Sequence, residues 1–488
     1  MSNSNDPHQK QRIEYIQTLH QSSTQVAVTL SGGGALILGD LLTIPGGSRT
    51  LIEANVPYSF ESVSNYIGRV PDQFCCSRTA RNLAMTGFYR AQKILRSEVL
   101  RKQGYIDIER ISPKIVDVSH EIEDITESAI IRSSRFVEPE DIDEFDIYKH
   151  VIGIGCTASL ITDREKKGEH RIHVAVQTLQ QTIQFSLQLQ KDIRTRWEEE
   201  RLVADLILNA IETARQETKY LPIPPQHTLE SGETFHSVFS ESSSDNNYLL
   251  HERIPLQLKS GETVQGKRTV GSPLLVDLFF GKLGAVFWTN EGIRHFITHK
   301  DIDSSTMPFN PCAEFTQAIF PGSFNPIHKG HQEMINIAEQ RLQEKIVLEI
   351  SIQNVGKPPL DYIELEHRLE QIRRTNPNQA LWLTHAPLFI RKAELFQGTT
   401  FVVGSDTIKR FADLQFYQEN VHKFHDILRT IAFYNCRFLV FARQSQSGLE
   451  SLESLEIPDM LRSLCDSVPP SVFTMNISSS DLRRKEAP

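Results

Sequence analysis

Hydrophobic and polar positions along the chain switch repeatedly between a strand period and a helix period. Val26–Leu30 is a short β-prone run that meets Ser31-Gly32-Gly33-Gly34 and then Ala35–Leu38, which predicts strand, glycine turn and helix. Ala84, Phe88, Ala91 and Leu95 recur at helical spacing within 72–98 and mark one buried face. Strands are expected at Val151–Ile154 and His173–Thr178. The segment 192–216 reads as an amphipathic helix with the stripe Val203, Leu206, Ile207, Ala210 and Ile211. This alternation predicts an α/β domain over residues 25–221, preceded by a polar leader (1–24) expected to be disordered. An acid-rich, apolar-poor stretch around 117–146 reads as an insertion or loop.

Pro222, Pro224 and Pro225 close that domain, and residues 222–314 are expected to be a linker with short strands. The linker holds the serine-rich tract 242–247, a β-like run at Leu274–Leu278 and the apolar run Gly284–Trp288, a candidate extra strand for the domain that follows. From residue 315 the pattern sharpens. Ala318–Phe320 is a buried strand, and Met334, Ala338 and Leu342 give the helix after it a buried face. Strands follow at Ile346–Ile352, Leu381–Thr384, Phe401–Val403 and Arg437–Ala442. The expected fold class is therefore α/β with two α/β domains, the second a parallel-sheet domain over 315–488. Proline and serine composition near 222–247 further predicts that residues 305–488 fold alone.

Composition narrows the function. A length of 488 residues favours two or three domains. A net charge of −9 argues against a dedicated nucleic-acid binder. No apolar stretch reaches the roughly 18 residues of a membrane span. The first 25 residues lack the apolar core of a secretory signal. Six cysteines without CxxC pairs suggest neither a disulfide framework nor a zinc site, so the expected compartment is the reducing cytosol, extending to the nucleus as well. The oligomeric state stays open between monomer and homo-oligomer.

Chemistry concentrates in Pro321-Gly322-Ser323-Phe324-Asn325-Pro326-Ile327-His328-Lys329-Gly330-His331, between a strand and a helix. Carboxyl ends of strands are where α/β sheets bind ligands. Gly322 permits a tight turn with backbone N–H groups close to a phosphate, and Gly330 sits at a helix start that favours anions. His328 and His331, three apart, project to one side of a first helical turn. Two imidazole donors there can meet phosphate oxygens as charge builds in a transition state, and transfer of this kind needs no covalent nucleophile. An HxxH pair is also half of some zinc sites, but no Cys or His cluster of ligand spacing follows it.

The segment resembles the GxFxPxHxGH signature of the HxGH nucleotidylyltransferase superfamily. Ile477-Ser478-Ser479-Ser480-Asp481-Leu482-Arg483 resembles that superfamily's ISSTxIR motif, with Ser480 for the usual Thr and Leu482 for Ile. Lys357 resembles the lysine that follows the second strand, and reads equally as a solvated loop lysine. Gly404-Ser405-Asp406 resembles the GxD segment near acceptor and ribose, and Asp406 reads equally as a helix cap. The resemblance implies a Rossmann-like fold, with His328, His331, Lys357 and Arg483 in catalysis. It implies nucleotide binding by Gly322, Ser323, Phe324, Gly330, Gly404, Asp406, Ile477, Ser478, Ser479 and Ser480. It further implies ATP and a phosphorylated small-molecule acceptor as substrates, and Mg²⁺ carried by the triphosphate and water rather than by a carboxylate cage. Within the superfamily the segment is most similar to nicotinamide/nicotinate mononucleotide adenylyltransferases. Phosphopantetheine adenylyltransferases usually carry Thr at the position of His328, and cytidylyltransferases lack the Asn-Pro step. Trp382, Phe411 and Phe416 are the candidates to stack on a pyridine ring. The rival readings are cytidylyl or adenylyl transfer to another acceptor, and a nucleotide-binding regulatory protein with weak ATP hydrolysis.

The first domain resembles the CinA C-terminal family, whose active members deamidate nicotinamide mononucleotide. The matching pieces are Thr29-Leu30-Ser31-Gly32-Gly33, Pro45-Gly46-Gly47-Ser48, Tyr58-Ser59 and Gly153-Ile154-Gly155-Cys156-Thr157-Ala158, so a pocket of Thr29, Ser31, Gly32, Gly33, Tyr58 and Ser59 is implied. Thr29 stands where that family has its nucleophilic serine, and Val63 where a lysine follows the Tyr-Ser pair. Residues 162–168 replace a glycine-rich loop end. The expectation is a domain that binds a nucleotide or mediates assembly, with a hydroxyl retained and its activating partner lost.

Overall fold

The computed structural model describes residues 7–102, 147–164, 167–217, 239–243, 250–290, 292–298, 318–353, 358–417, 420–445 and 448–473. The insertion expected at 117–146 lies outside them. Contacts divide the chain into two compact units: residues 1–222, 241–270 and 356–363 form the first, and 223–240, 271–355 and 364–488 the second. Both contain a sheet with helices, so the α/β class and the two sheet-bearing domains of the sequence reading hold.

In the first unit the strands are β1 (Gln25–Ser31), β2 (Leu51–Asn55), β3 (Val151–Ser159), β4 (His170–Gln177), β5 (Gln181–Leu189), β6 (Phe239–Ser243) and β7 (Val264–Gly271), in the order β2-β1-β3-β4-β5-β7-β6. β1 runs parallel to β2 and β3, whereas β3, β4, β5 and β7 form an antiparallel meander. The helix Arg196–Glu217 buries Val203, Leu206, Ile207, Ala210 and Ile211 completely, in one core with Val28, Ile154 and Val174. That is the stripe its spacing predicts. The polar leader is different from expectation. Residues Pro7–Gln21 form a helix whose Tyr15, Ile16 and Leu19 enter the same core, and Arg12 pairs with buried Asp205 at 2.7 Å. Its apolar stripe is only three residues wide in a run of Gln, His and Lys, so composition hides it.

The second unit holds β8 (Leu283–Thr289), β9 (Gly292–Thr298), β10 (Ala318–Pro321), β11 (Ile346–Ser351), β12 (Leu381–Thr384), β13 (Thr400–Gly404), β14 (Arg437–Phe441) and β17 (Cys465–Val468) in one sheet, ordered β17-β14-β13-β10-β11-β12-β8-β9. A separate hairpin pairs β15 (Arg443–Ser445) with β16 (Gly448–Glu450). From β10 to β17 the six sheet strands are parallel, and renumbered by sequence they read 3-2-1-4-5-6, the doubly wound Rossmann-like order. The order reverses between β10 and β13, and the carboxyl ends of those two strands are where a ligand crevice opens. Gly322 follows β10 and Gly404 ends β13.

The span 222–314 is not a linker throughout. β7 belongs to the first sheet, while β8 pairs antiparallel with β12 and extends the second. Leu274–Leu278, expected as strand, lies in the helix Pro273–Phe279. Ser272 caps that helix by accepting from Leu275 N at 3.3 Å, and Pro273 opens it; the Ser-Pro start outweighs the β-prone run. Among the described residues no helix is long and apolar enough to cross a membrane.

The β8–β12 pairing puts the run Gly284–Trp288 in the second sheet, so residues 305–488 lack two of its strands. Ala285, Val286, Phe287 and Trp288 are buried, and removing β8 would leave the edge of β12 unpaired. A fragment beginning at residue 271, which keeps β8 and β9, should be the more soluble and the more stable of two. One beginning at residue 305 should aggregate or melt at lower temperature, as thermal melting of the two side by side would show.

Candidate nucleotide site

The turn after β10 is shaped by one aromatic ring. Gly322 N donates to the carbonyl of Glu349 at 2.9 Å, carrying the β10–β11 ladder one step past the strand. A Cβ on Gly322 would stand 2.7 Å from the ring of Phe324, so the ring lies directly over the glycine. Phe324 itself is buried with φ at +41°, a left-handed conformation that costs a non-glycine residue of order 1–3 kcal/mol. Its ring stands edge-on to Phe320 at 5.4 Å and to His331 at 5.2 Å. The strained residue thereby builds the wall against which His331 rests.

Buried polar contacts hold the turn in that shape. Glu364 and Arg368, one turn apart on the helix Tyr362–Thr375, pair at 3.0 Å with side chains only 6% exposed each. Glu364 Oε1 also accepts from Asn325 Nδ2 at 2.6 Å, and Arg368 Nη1 donates to the carbonyl of Ser323 at 3.1 Å. The pair thus grips the turn on both sides of Phe324. Such a pair adds little net stability over an apolar one, but losing one partner strands a buried charge at about 3–5 kcal/mol.

His328 is the N-cap of the helix Lys329–Leu342, and His331 lies in its first turn. Their rings stack at 3.7 Å, 22° from parallel. The backbone N–H of His328 donates to Nδ1 of His331 at 3.2 Å, so in the neutral ring the proton resides on Nε2. His331 is therefore preset as an Nε2–H donor. Burial lowers the pKa of His328, and the positive charge of Arg443 lowers it further. For His331, burial, then His328, then Arg443 bring it down to about 3. At neutral pH both rings are neutral donors.

On the facing strand, Gly404-Ser405-Asp406 leads from β13 into the helix Ser405–Phe411, and Asp406 forms an ion pair with Arg443 at the start of β15. The fold thus places Gly322, Ser323, Phe324, His328, Gly330 and His331 on the β10 side of the switch point and Gly404 and Asp406 at the end of β13. Ser323 is exposed, whereas Gly330 is buried. Lys357 and the segment Ile477, Ser478, Ser479, Ser480 and Arg483 lie outside the described residues. Sequence reasoning missed Glu364, Arg368 and Arg443. An acid and a base four apart within an otherwise helical stripe was the available signal for the first two; Arg443 carried none. Two aromatics proposed for stacking are core. Trp382 is fully buried against Phe287 and Phe396, and Phe411 packs among Phe389, Phe424 and Phe438. The side chain of Phe416 lies outside what the structure describes.

In the first unit the expected pocket residues do not form one open pocket. Thr29 is fully buried, and its hydroxyl is 2.9 Å from the phenol of Tyr66. Burial raises the pKa of Tyr66, so the phenol stays protonated and does not serve as a base. Val63 is packed with Ile67 and Leu83. A Cβ on Gly32 would stand 2.1 Å from the carbonyl of Ala158, so that glycine serves backbone packing. Glu200 Oε2 accepts from Gly34 N at 2.6 Å and Ala35 N at 3.2 Å, filling the anion position of the glycine turn, and Arg196 holds Glu200 at 2.7 Å. Ser31 ends β1, and Gly33 follows it in the turn. Tyr58 is 70% exposed, and Ser59 caps the helix Phe60–Tyr66 by accepting from Ser62 N at 3.2 Å.

Residues 319–485 match the cytidylyltransferase-like family model, which spans both the histidine turn and the Gly404-Ser405-Asp406 segment. The match supports nucleotidyl transfer as the general chemistry of this part of the chain. No curated protein matches the chain.

Two outcomes test this geometry. His331 holds a proton more tightly in the unfolded chain than in the folded one. Its contribution to stability is therefore complete above about 6.5 and drains as pH falls toward about 3. His331→Asn, which does not titrate, should lose less melting temperature than the wild type on going from neutral to mildly acidic buffer. Glu364→Ala should destabilise the protein by about 3–5 kcal/mol in denaturant unfolding.

Proposed function

We propose that the second unit transfers AMP from ATP to nicotinamide or nicotinate mononucleotide and releases pyrophosphate. The observation that carries the transfer chemistry is the stacked His328–His331 pair, preset as neutral donors at a helix start beside the switch point of a Rossmann-like sheet. In this reading a phosphate oxygen of the mononucleotide attacks the α-phosphorus in line, and the bond to the bridging oxygen breaks toward pyrophosphate. The imidazole N–H groups hold the oxygens on which charge accumulates. Mg²⁺ would arrive with the triphosphate, held by its oxygens and by water. Lys357 and Arg483 would complete the phosphate contacts.

The choice of acceptor rests on resemblance of the Gly322–His331 and Ile477–Arg483 segments to mononucleotide adenylyltransferases. The CinA-like resemblance of the first unit points to the same mononucleotide. A second reading, transfer from CTP or ATP to another phosphorylated acceptor, is favoured by the family description and by the burial of Trp382 and Phe411, which removes two of three candidates for a pyridine platform. For the first unit we propose binding or assembly rather than deamidation, because Thr29 is buried beside a protonated phenol and Glu200 already fills the amides of the turn.

Pyrophosphate release by the full chain, with ATP or CTP against a panel of phosphorylated acceptors, separates the readings. ATP with nicotinamide or nicotinate mononucleotide should give dinucleotide, and His331→Ala should lower kcat by ~10²–10³-fold with much less effect on nucleotide binding. Near-normal turnover of that variant would remove the histidine assignment; release with CTP alone would replace the donor. Incubation with nicotinamide mononucleotide alone should liberate no ammonia, and ammonia that vanishes in Thr29→Ala would restore the deamidase.

A further inference from the structure

We propose that Arg443 is an additional phosphate-binding group of the nucleotide site, held by Asp406 while the site is empty and surrendered to an anionic ligand. The inference rests on the nucleotidyl-transfer reading and adds to it a residue outside the motifs that suggested that reading. Arg443 begins β15, just past the carboxyl end of β14, and Asp406 follows the carboxyl end of the adjacent β13. β10, with the histidine turn, is the next strand along. Burial first, and the charge of Arg443 after it, lower the pKa of both imidazoles, in keeping with a guanidinium at the same end of the sheet.

Exposure distinguishes this ion pair from the permanent ones nearby. The side chains of Arg443 and Asp406 are 40% and 42% exposed, against 6% for both Arg368 and Glu364. A pair so open to water contributes little to stability and is readily exchanged. A di- or triphosphate offers the guanidinium several charged oxygens in place of one carboxylate, and Arg matches phosphate geometry bidentately. A Cβ on Gly404 would stand 2.5 Å from Asp406 Oδ1, so the carboxylate lies close over the strand end. The β15–β16 hairpin does not depend on the exchange to stay in place. Lys409 of the helix Ser405–Phe411 and Glu450 of β16 form a second tie at 2.9 Å. On exchange, the guanidinium moves from carboxylate to phosphate, and Asp406 is released to accept hydroxyl protons from the same ligand. No covalent bond changes.

Calorimetric titration of the full-length protein with inorganic pyrophosphate tests this without turnover. Arg443→Ala should weaken binding about tenfold or more, the scale of one charge-assisted contact. Asp406→Asn should tighten it severalfold by removing the competitor, and the double variant should match Arg443→Ala. Pyrophosphate affinity unchanged in Arg443→Ala, or weakened in Asp406→Asn, overturns the proposal while leaving the transfer reading standing. A wild type that binds no pyrophosphate overturns both. Because the pair is half exposed both variants should fold; should Arg443→Ala not, the direction of the Asp406→Asn shift alone decides.

Discussion

The second unit turns on a buried acid and base gripping one short turn. Glu364 and Arg368 reach the turn from the helix Tyr362–Thr375, meeting Asn325 on one side of Phe324 and the carbonyl of Ser323 on the other. Between those two fixed points Phe324 adopts a backbone conformation it would leave if released. Its ring then closes over Gly322 and sets the edge against which His331 packs. The position of His331, and through ring stacking that of His328, thus follows from the turn that the ion pair holds. Preorganisation of this kind is what electrostatic catalysis requires, because donors already in place need no reorganisation when charge develops.

Ion pairs around the site fall into two populations with different physical consequences. Glu364–Arg368 and Glu349–Lys392 are withdrawn from water, and each holds its partner in one place because separation would strand a charge. Asp406–Arg443 is half in water and yields to a stronger anion. Rigid pairs set geometry, and the labile one leaves a cation free to change partners. Lowered imidazole pKa values belong to the same balance, since neutral rings avoid repelling Arg443 and still present N–H donors.

The first unit shows a glycine turn already satisfied from within. Its amides face the carboxylate of Glu200, whose own partner Arg196 also donates to the carbonyl of Gly32 at 3.0 Å. A strand–glycine turn–helix segment alone therefore does not distinguish an anion-binding turn from one that a side chain of the same unit has closed. A helix start favours negative charge whether that charge is a phosphate or a glutamate from a helix more than 150 residues later in the chain.

Much of this was determined locally and so could be read from sequence. Strands β10, β11, β12, β13 and β14 and the helix Arg196–Glu217 announce themselves by period, and the histidine turn by its glycines and spacing, because those signals lie within a dozen residues of one another. The Pro7–Gln21 helix departs from expectation because its narrow apolar stripe becomes meaningful only against a distant core, whereas the Pro273–Phe279 helix follows from a Ser-Pro start that outweighs a β-prone run. The partners of the candidate site residues were set by tertiary structure alone. Glu364 reaches Asn325 across 39 residues, Arg443 reaches Asp406 across 37, and Glu200 reaches Gly34 across 166. Periodicity tells which face of an element is buried but not which charge waits on the other side. That is settled only when burial removes water as the alternative partner and a charged group must take the neighbour the fold supplies.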